Sequence, residues 1–226
     1  MLRSFLTAIA VTYSSILFAQ ENSTDKQVMK AAEGQLEAYL SKIKPGHAAE
    51  FGFREGDDLE NCGIAKPYRL LTFNTEYYSG SINENGNYVD IKNEWRVPVT
   101  VKGEHRALLT VNGNPGNFDV AGMGGAELAK ELELKSAPYN DNDEYYILRI
   151  YPLSADFFVA EHDHSFAETE FVPLESAKAA IPEIRKSTKT TYTLEEVQDI
   201  VKRELKQGDV KPLPKKKVPA KKRTKK

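Results

Sequence analysis

Four consecutive residues, Glu161-His162-Asp163-His164, form the densest cluster of metal-capable groups in the chain. On a strand the two imidazoles would project to one face and the two carboxylates to the other. Paired imidazoles can hold zinc or copper weakly, but a catalytic zinc takes three protein ligands. Of the four histidines only His47 and His105 remain, and no HExxH frame is present. A solvated turn running into Ser165 accounts for the same residues. No metal site and no cofactor is therefore expected, and His162 and His164 are the residues a metal would use.

The other candidates for chemistry carry weaker signals. Gly122-Met123-Gly124-Gly125 stands where a strand gives way to a helix, the setting of a phosphate cradle. Glu127 in the first turn would repel a phosphate, and no cation stands between this run and Lys130. A glycine turn packing a helix against a sheet explains the run. Cys62 has Asp57, Asp58 and Glu60 close by, and acidic surroundings raise a thiol pKa and suppress the nucleophile. A buried, inert thiol is the reading. No serine stands in a G-x-S-x-G elbow, and among 33 acidic residues a pair of carboxylates singles out nothing. Glu76-Tyr77-Tyr78-Ser79-Gly80, with Tyr88 beyond, could stack on sugars or peptides, although aromatics in strands usually fill cores.

Charge gives the sharpest feature. Lys211, Lys215, Lys216, Lys217, Lys221, Lys222, Arg223, Lys225 and Lys226 put +9 on residues 211–226, with no acid among them. The formal net charge is -2 and residues 1–20 hold only Arg3, so the 190 residues between carry -12. Lysine runs of this kind bind polyanions. Each cation near an anionic surface adds up to about 1 kcal/mol, so a lipid surface, lipopolysaccharide or acidic glycans would attract the segment. A solvated tail lying back on the acidic body explains the same charges.

The first residues set the compartment. Arg3 supplies a positive start, and Phe5 to Phe18 an apolar run interrupted by Thr7, Thr12, Ser14 and Ser15. That run is too short for a membrane span, and Leu17-Phe18-Ala19-Gln20 offers a cleavage site after Ala19. Residues 1–19 are read as a signal peptide of Gram-negative type, the protein being periplasmic or extracellular. No cysteine follows the run, which argues against a lipoprotein anchor. Export also disfavours nucleic acid as the partner of the lysines. The chain's single cysteine leaves the fold to stand on packing rather than on an internal disulfide.

The elements that would position these groups follow from periodicity. With 226 residues, 40% hydrophobic, and 22 aromatics, the chain can fill a core and is neither a disordered chain nor a coiled-coil rod. Val28, Ala32, Leu36, Tyr39, Leu40 and Ile43 draw one stripe on a helix over 24–43, ended by Pro45-Gly46. A short helix or turn covers 57–62. Strands are expected at 68–73, 95–101, 105–111 and 118–122, with Lys102-Gly103 turning the second into the third. Asn85-Gly86 marks a further tight turn. Pro98 has no N–H for a ladder, so it is expected at an edge or a bulge. A short helix follows at 126–132, then a hairpin of 145–151 and 156–161, a strand at 170–172 and a helix at 174–180. Residues 181–192 read as a polar linker. Thr193 to Glu196 form a capping box opening a helix over 193–208, and 209–226 is a disordered Lys/Pro-rich tail.

The fold class is α+β: an antiparallel β-meander with an N-terminal helix and short flanking helices, comparable with the cystatin-like architecture. Trp95-Arg96-Val97-Pro98-Val99, Gly103-Glu104-His105-Arg106-Ala107, Gly124-Gly125-Ala126-Glu127-Leu128, Ala155-Asp156-Phe157-Phe158-Val159 and Val172-Pro173-Leu174-Glu175-Ser176-Ala177 together resemble a type of uncharacterised secreted bacterial protein. The resemblance spans about residues 50–180 and implies one exported domain there, within an α+β domain of 20–180. It brings no known activity and no catalytic residues. Two functions remain: a non-enzymatic exported module binding a protein, a peptide or an envelope glycan, and a hydrolase of unrecognised type acting on envelope material. The missing motifs favour the first.

Overall fold

A computed structural model describes residues 24–74, 89–140, 142–161 and 169–207. The chain folds around one eight-stranded sheet with helices on both faces. The strands are β1 (Gly63–Ile64), β2 (Tyr68–Phe73), β3 (Val89–Val101), β4 (Glu104–Asn114), β5 (Asn117–Gly124), β6 (Glu144–Ile150), β7 (Ala155–Glu161) and β8 (Glu170–Pro173). The helices are α1 (24–40), α2 (Ala126–Ser136), α3 (Glu175–Ala180), α4 (Pro182–Lys186) and α5 (Leu194–Gln207). Among the described residues no helix is long and apolar enough to cross a membrane.

The sheet runs β5-β4-β3-β2-β6-β7-β8, with β1 extending the β3 pairing beyond β2. The expected meander is thus two antiparallel halves joined by one parallel pair, β2 with β6. Between them the chain crosses the sheet through α2. The β3–β4 hairpin forms as read: Lys102 and Gly103 take φ of 53° and 84°, the positive values a two-residue turn needs. Trp95, Val97, Val99 and Val101 are all buried on one face of β3. Pro98 sits on β3 inside the sheet, beside the irregular register between Val99 and Thr100, so the expected bulge falls just after it. Its carbonyl accepts from Ala65 at 3.0 Å, so its nitrogen faces the break between β1 and β2, where no ladder donor is required.

Cross-strand register assigns the faces. Trp95 stands opposite Arg69, and Arg69 beside Tyr146, so all three project to one side. On that side α1 covers β3–β5, with Val28, Ala32, Leu36 and Leu40 at four-residue spacing packed on Trp95, Val97, Leu109 and Val111. The helix stops at residue 40 and Ile43 packs from the following turn. Tyr39 Oη donates to the Val120 carbonyl at 2.6 Å and fastens α1 to the sheet edge. On the same side α5 and α4 cover β6–β8. The opposite face carries α2, longer than its expected seven residues, through Ala129 and Leu132 on Tyr68, Leu108, Ile147 and Phe158.

The segment expected as a linker is structured. Pro182–Lys186 is a helical turn, Ile181 and Ile184 are buried, and Tyr192 bridges to Phe171 with reciprocal backbone bonds of 2.8 and 3.0 Å. Three apolar residues in a polar stretch are enough once tertiary contact buries them. The capping box of α5 is formed: Thr193 N donates to Glu196 Oε2 at 2.9 Å, and Glu196 N to Thr193 Oγ1 at 3.3 Å. Val197, Ile200 and Val201 then join the same core as Phe157 and Phe171.

Candidate binding face

The face carrying α2 gathers the features a ligand could use. Gly125, at φ 70°, starts the helix, and a Cβ there would touch Leu108 Cδ1 at 3.5 Å. That is an ordinary contact, and Gly122 and Gly124 face open space, so the positive φ at Gly125, not close packing of the run on the sheet, is what favours glycine here. Leu128, Ala129 and Leu132 turn inward. Leu134 lies off that stripe and is 67% exposed. A singly exposed leucine is ordinary on a protein surface, and what sets Leu134 apart is the grooves it borders.

Leu134 forms part of two grooves. One, of about 820 Å³, lies between α2 and the start of α3 and reaches the Arg149–Asp156 pair. The other, of about 420 Å³, runs past Tyr139 and Lys178 to 188–191. Register places Arg149 opposite Asp156 on β6 and β7. The guanidinium holds the carboxylate with two bonds, Nε to Oδ1 at 2.7 Å and Nη2 to Oδ2 at 3.0 Å. Asp156 N donates to Ser176 Oγ at 3.0 Å, and Ser176 Oγ donates back to Asp156 Oδ2 at 3.3 Å. Glu131 of α2 accepts from Glu175 N at 2.8 Å, capping α3, whose N-cap Leu174 supplies no side chain. Burial and then the neighbouring Glu175 push the Glu131 carboxyl up.

Ser176 bonds a carboxylate already committed to Arg149, with no imidazole between them. His105, on β4, meets the inner side of α2: its Nδ1–H donates to the Ala129 carbonyl at 3.3 Å, and its backbone N–H to Glu133 Oε2 at 3.2 Å. Burial lowers its pKa, against the pull of Glu133.

A second polar cluster lies on the other face, between the two apolar cores. Asp25, near the start of α1, meets Arg69 of β2 and Glu144 of β6. The Arg69 guanidinium sits 5.0 Å above the Trp95 ring and donates to the Lys92 carbonyl at 3.2 Å. Tyr146 Oη donates to Glu144. Burial, then Glu144, raise the Asp25 carboxyl to about 6, while Arg69, Lys66 and the Trp95 indole N–H pull it down. The space beside these carboxylates is about 10 Å³, too small for a substrate. The cluster fastens α1 to the seam between the halves of the sheet.

Cys62 is only partly buried against the α1 core, not fully buried as expected, and its thiol pKa is raised by burial, Asp57 and Asp58. Among the described residues no group of three or more His, Cys, Asp or Glu is placed to hold a metal. His162 and His164, Tyr77, Tyr78 and Tyr88, the Asn85-Gly86 turn and the lysines of 211–226 lie outside the described residues. Sequence reading missed Leu134, whose only signal was its position off the helix stripe, and Asp25, an ordinary acid at a helix start. The chain matches no family model, no curated protein and no solved structure.

Proposed function

We propose that the chain is a non-enzymatic exported module that binds a protein or peptide partner on the α2 face, with the cations of 211–226 tethering it to envelope polyanions. The observation that carries this reading is Leu134, 67% exposed and lining both grooves. An apolar side chain of the partner would lie along Leu134, and polar groups would meet Lys135 and Glu175 at the rim, the usual layout of a small interface. The apolar run before Ala19 supports export, and α1 lying across β3–β5 supports the cystatin-like comparison for that half. The test is a display selection of random peptides on the whole protein, repeated with Leu134→Asp. Selected peptides should lose at least about tenfold in affinity for the variant, because a charge placed in an apolar contact costs more than 1.4 kcal/mol. Equal binding to both proteins overturns the reading.

A further inference from the structure

A third groove, of about 590 Å³, lies on the other side of the molecule, between the outer flank of α1 and the 3-10 turn Leu59–Asn61. Its floor is apolar: Leu36, Leu40, Leu59 and the carbons of Cys62. Its rim is Glu33, Glu37, Glu60 and Ser41, all exposed, and no lysine or arginine lines it. Glu33 and Glu37 are one helical turn apart, where like charges repel each other and an incoming cation relieves both. An apolar floor under a rim of three glutamates and Ser41 fits an extended cationic segment with an occasional aliphatic side chain.

The chain carries such a segment. Residues 211–226 hold nine cations and no acid, with Leu213 and Val218 set among them and Pro212, Pro214 and Pro219 disfavouring a helix. Reach permits it. The strand order from β8 to β5 spans about 30 Å, and α1 and α5 share one face. The 19 residues after Gln207 extend to about 60 Å. Covalent linkage raises the effective concentration of the segment at the groove into the range where weak contacts hold.

We infer that the groove between α1 and the Leu59–Asn61 turn is the docking site of the chain's own segment 211–226, with Leu213 or Val218 on Leu36, Leu40 and Leu59 and lysines against Glu33, Glu37 and Glu60. The inference goes beyond the tether. The same cations serve the groove or an anionic surface, so each excludes the other, and an anionic surface releases the groove.

Cys62 lines the groove and is the only cysteine in the chain, which supplies the test. The whole protein, dilute and free of membranes, is treated with a short maleimide–succinimide linker and the joined peptides are sequenced. Cys62 should join lysines of 211–226 within one chain. The yield should fall about tenfold in the E33Q/E37Q/E60Q variant, which keeps Cys62 and every lysine, and fall likewise at about 0.5 M salt. The E127Q/E175Q variant on the opposite side should keep the full yield, and circular dichroism should show all three proteins folded. Joining between chains in a mixture of isotopically light and heavy protein overturns the inference, as do equal yields in both variants or no joining at all. Vesicle binding plays no part in the experiment, so the tether can fail without it.

Discussion

Gly52 stands against the backbone of Arg106: a Cβ at position 52 would lie 2.2 Å from the Arg106 carbonyl oxygen and 2.5 Å from Ala126 Cβ. Gly52 also holds φ at 91°, so both space and dihedral demand glycine. The contact joins the turn after α1 to β4 and to the first residue of α2. Gly52→Ala should cost about 2–4 kcal/mol, read from urea unfolding, and should disturb the α2 face along with it. A variant with an unchanged midpoint would show that the turn yields.

Arg106 is 5% exposed and satisfied on two sides, Nε to Asp57 Oδ2 at 2.7 Å and Nη1 to Glu104 Oε2 at 2.9 Å. Its hydrogen bond holds Asp57 below the usual carboxylate range. Arg106→Leu leaves Asp57 without that partner and should cost about 2–3 kcal/mol, whereas removing Glu104 should cost less, since Arg106 keeps Asp57. Chemical denaturation of both variants ranks them, and the reverse order would contradict the geometry.

Asp25 gives a pH dependence. Its carboxyl ionises at about 6 in the folded chain against 3.8 ordinarily, so between those values the folded state holds a proton that the unfolded state has released. This contribution is fully present below about pH 4, is lost as pH rises through 6, and amounts to about 3 kcal/mol. Asp25→Asn should therefore raise stability at pH 7.5 and flatten the profile between pH 4 and 7. Thermal melts of both proteins across that range check it, and a destabilised variant at pH 7.5 would mean that Arg69 and Lys66 outweigh burial.

His105 has the opposite sign. Its folded pKa lies below the ordinary 6.5, so the unfolded state takes up the proton first and stability falls as pH drops below 6.5. The ring-proton resonances of His105 should titrate below 6.5, and a midpoint at or above 6.5 would contradict this.

Removal of 208–226 should leave the unfolding midpoint nearly unchanged at moderate salt, because screened surface ion pairs stabilise little. It should also weaken attachment to vesicles of anionic lipid and remove its salt dependence. Attachment that survives truncation with the same salt sensitivity would place the tether elsewhere.

Local order was written in the sequence wherever one short-range rule acted alone. Four-residue spacing marked α1, alternation marked the buried face of β3, Lys102-Gly103 marked the tight turn, and Thr193 with Glu196 marked the start of α5. The acids around Cys62 already implied a raised thiol pKa. Tertiary structure decided what depends on partners distant in sequence. The parallel β2–β6 pair follows from α2 carrying the chain across the sheet, and no residue in either strand declares it. Pro98 is tolerated inside the sheet because its neighbour breaks opposite it. Ile184 and Tyr192 become core because β8 lies beside them. Leu134 becomes a candidate contact only because Leu128, Ala129 and Leu132 fix which way α2 faces. Burial is a property of the assembled layers, and a residue acquires it from neighbours that its own segment does not name.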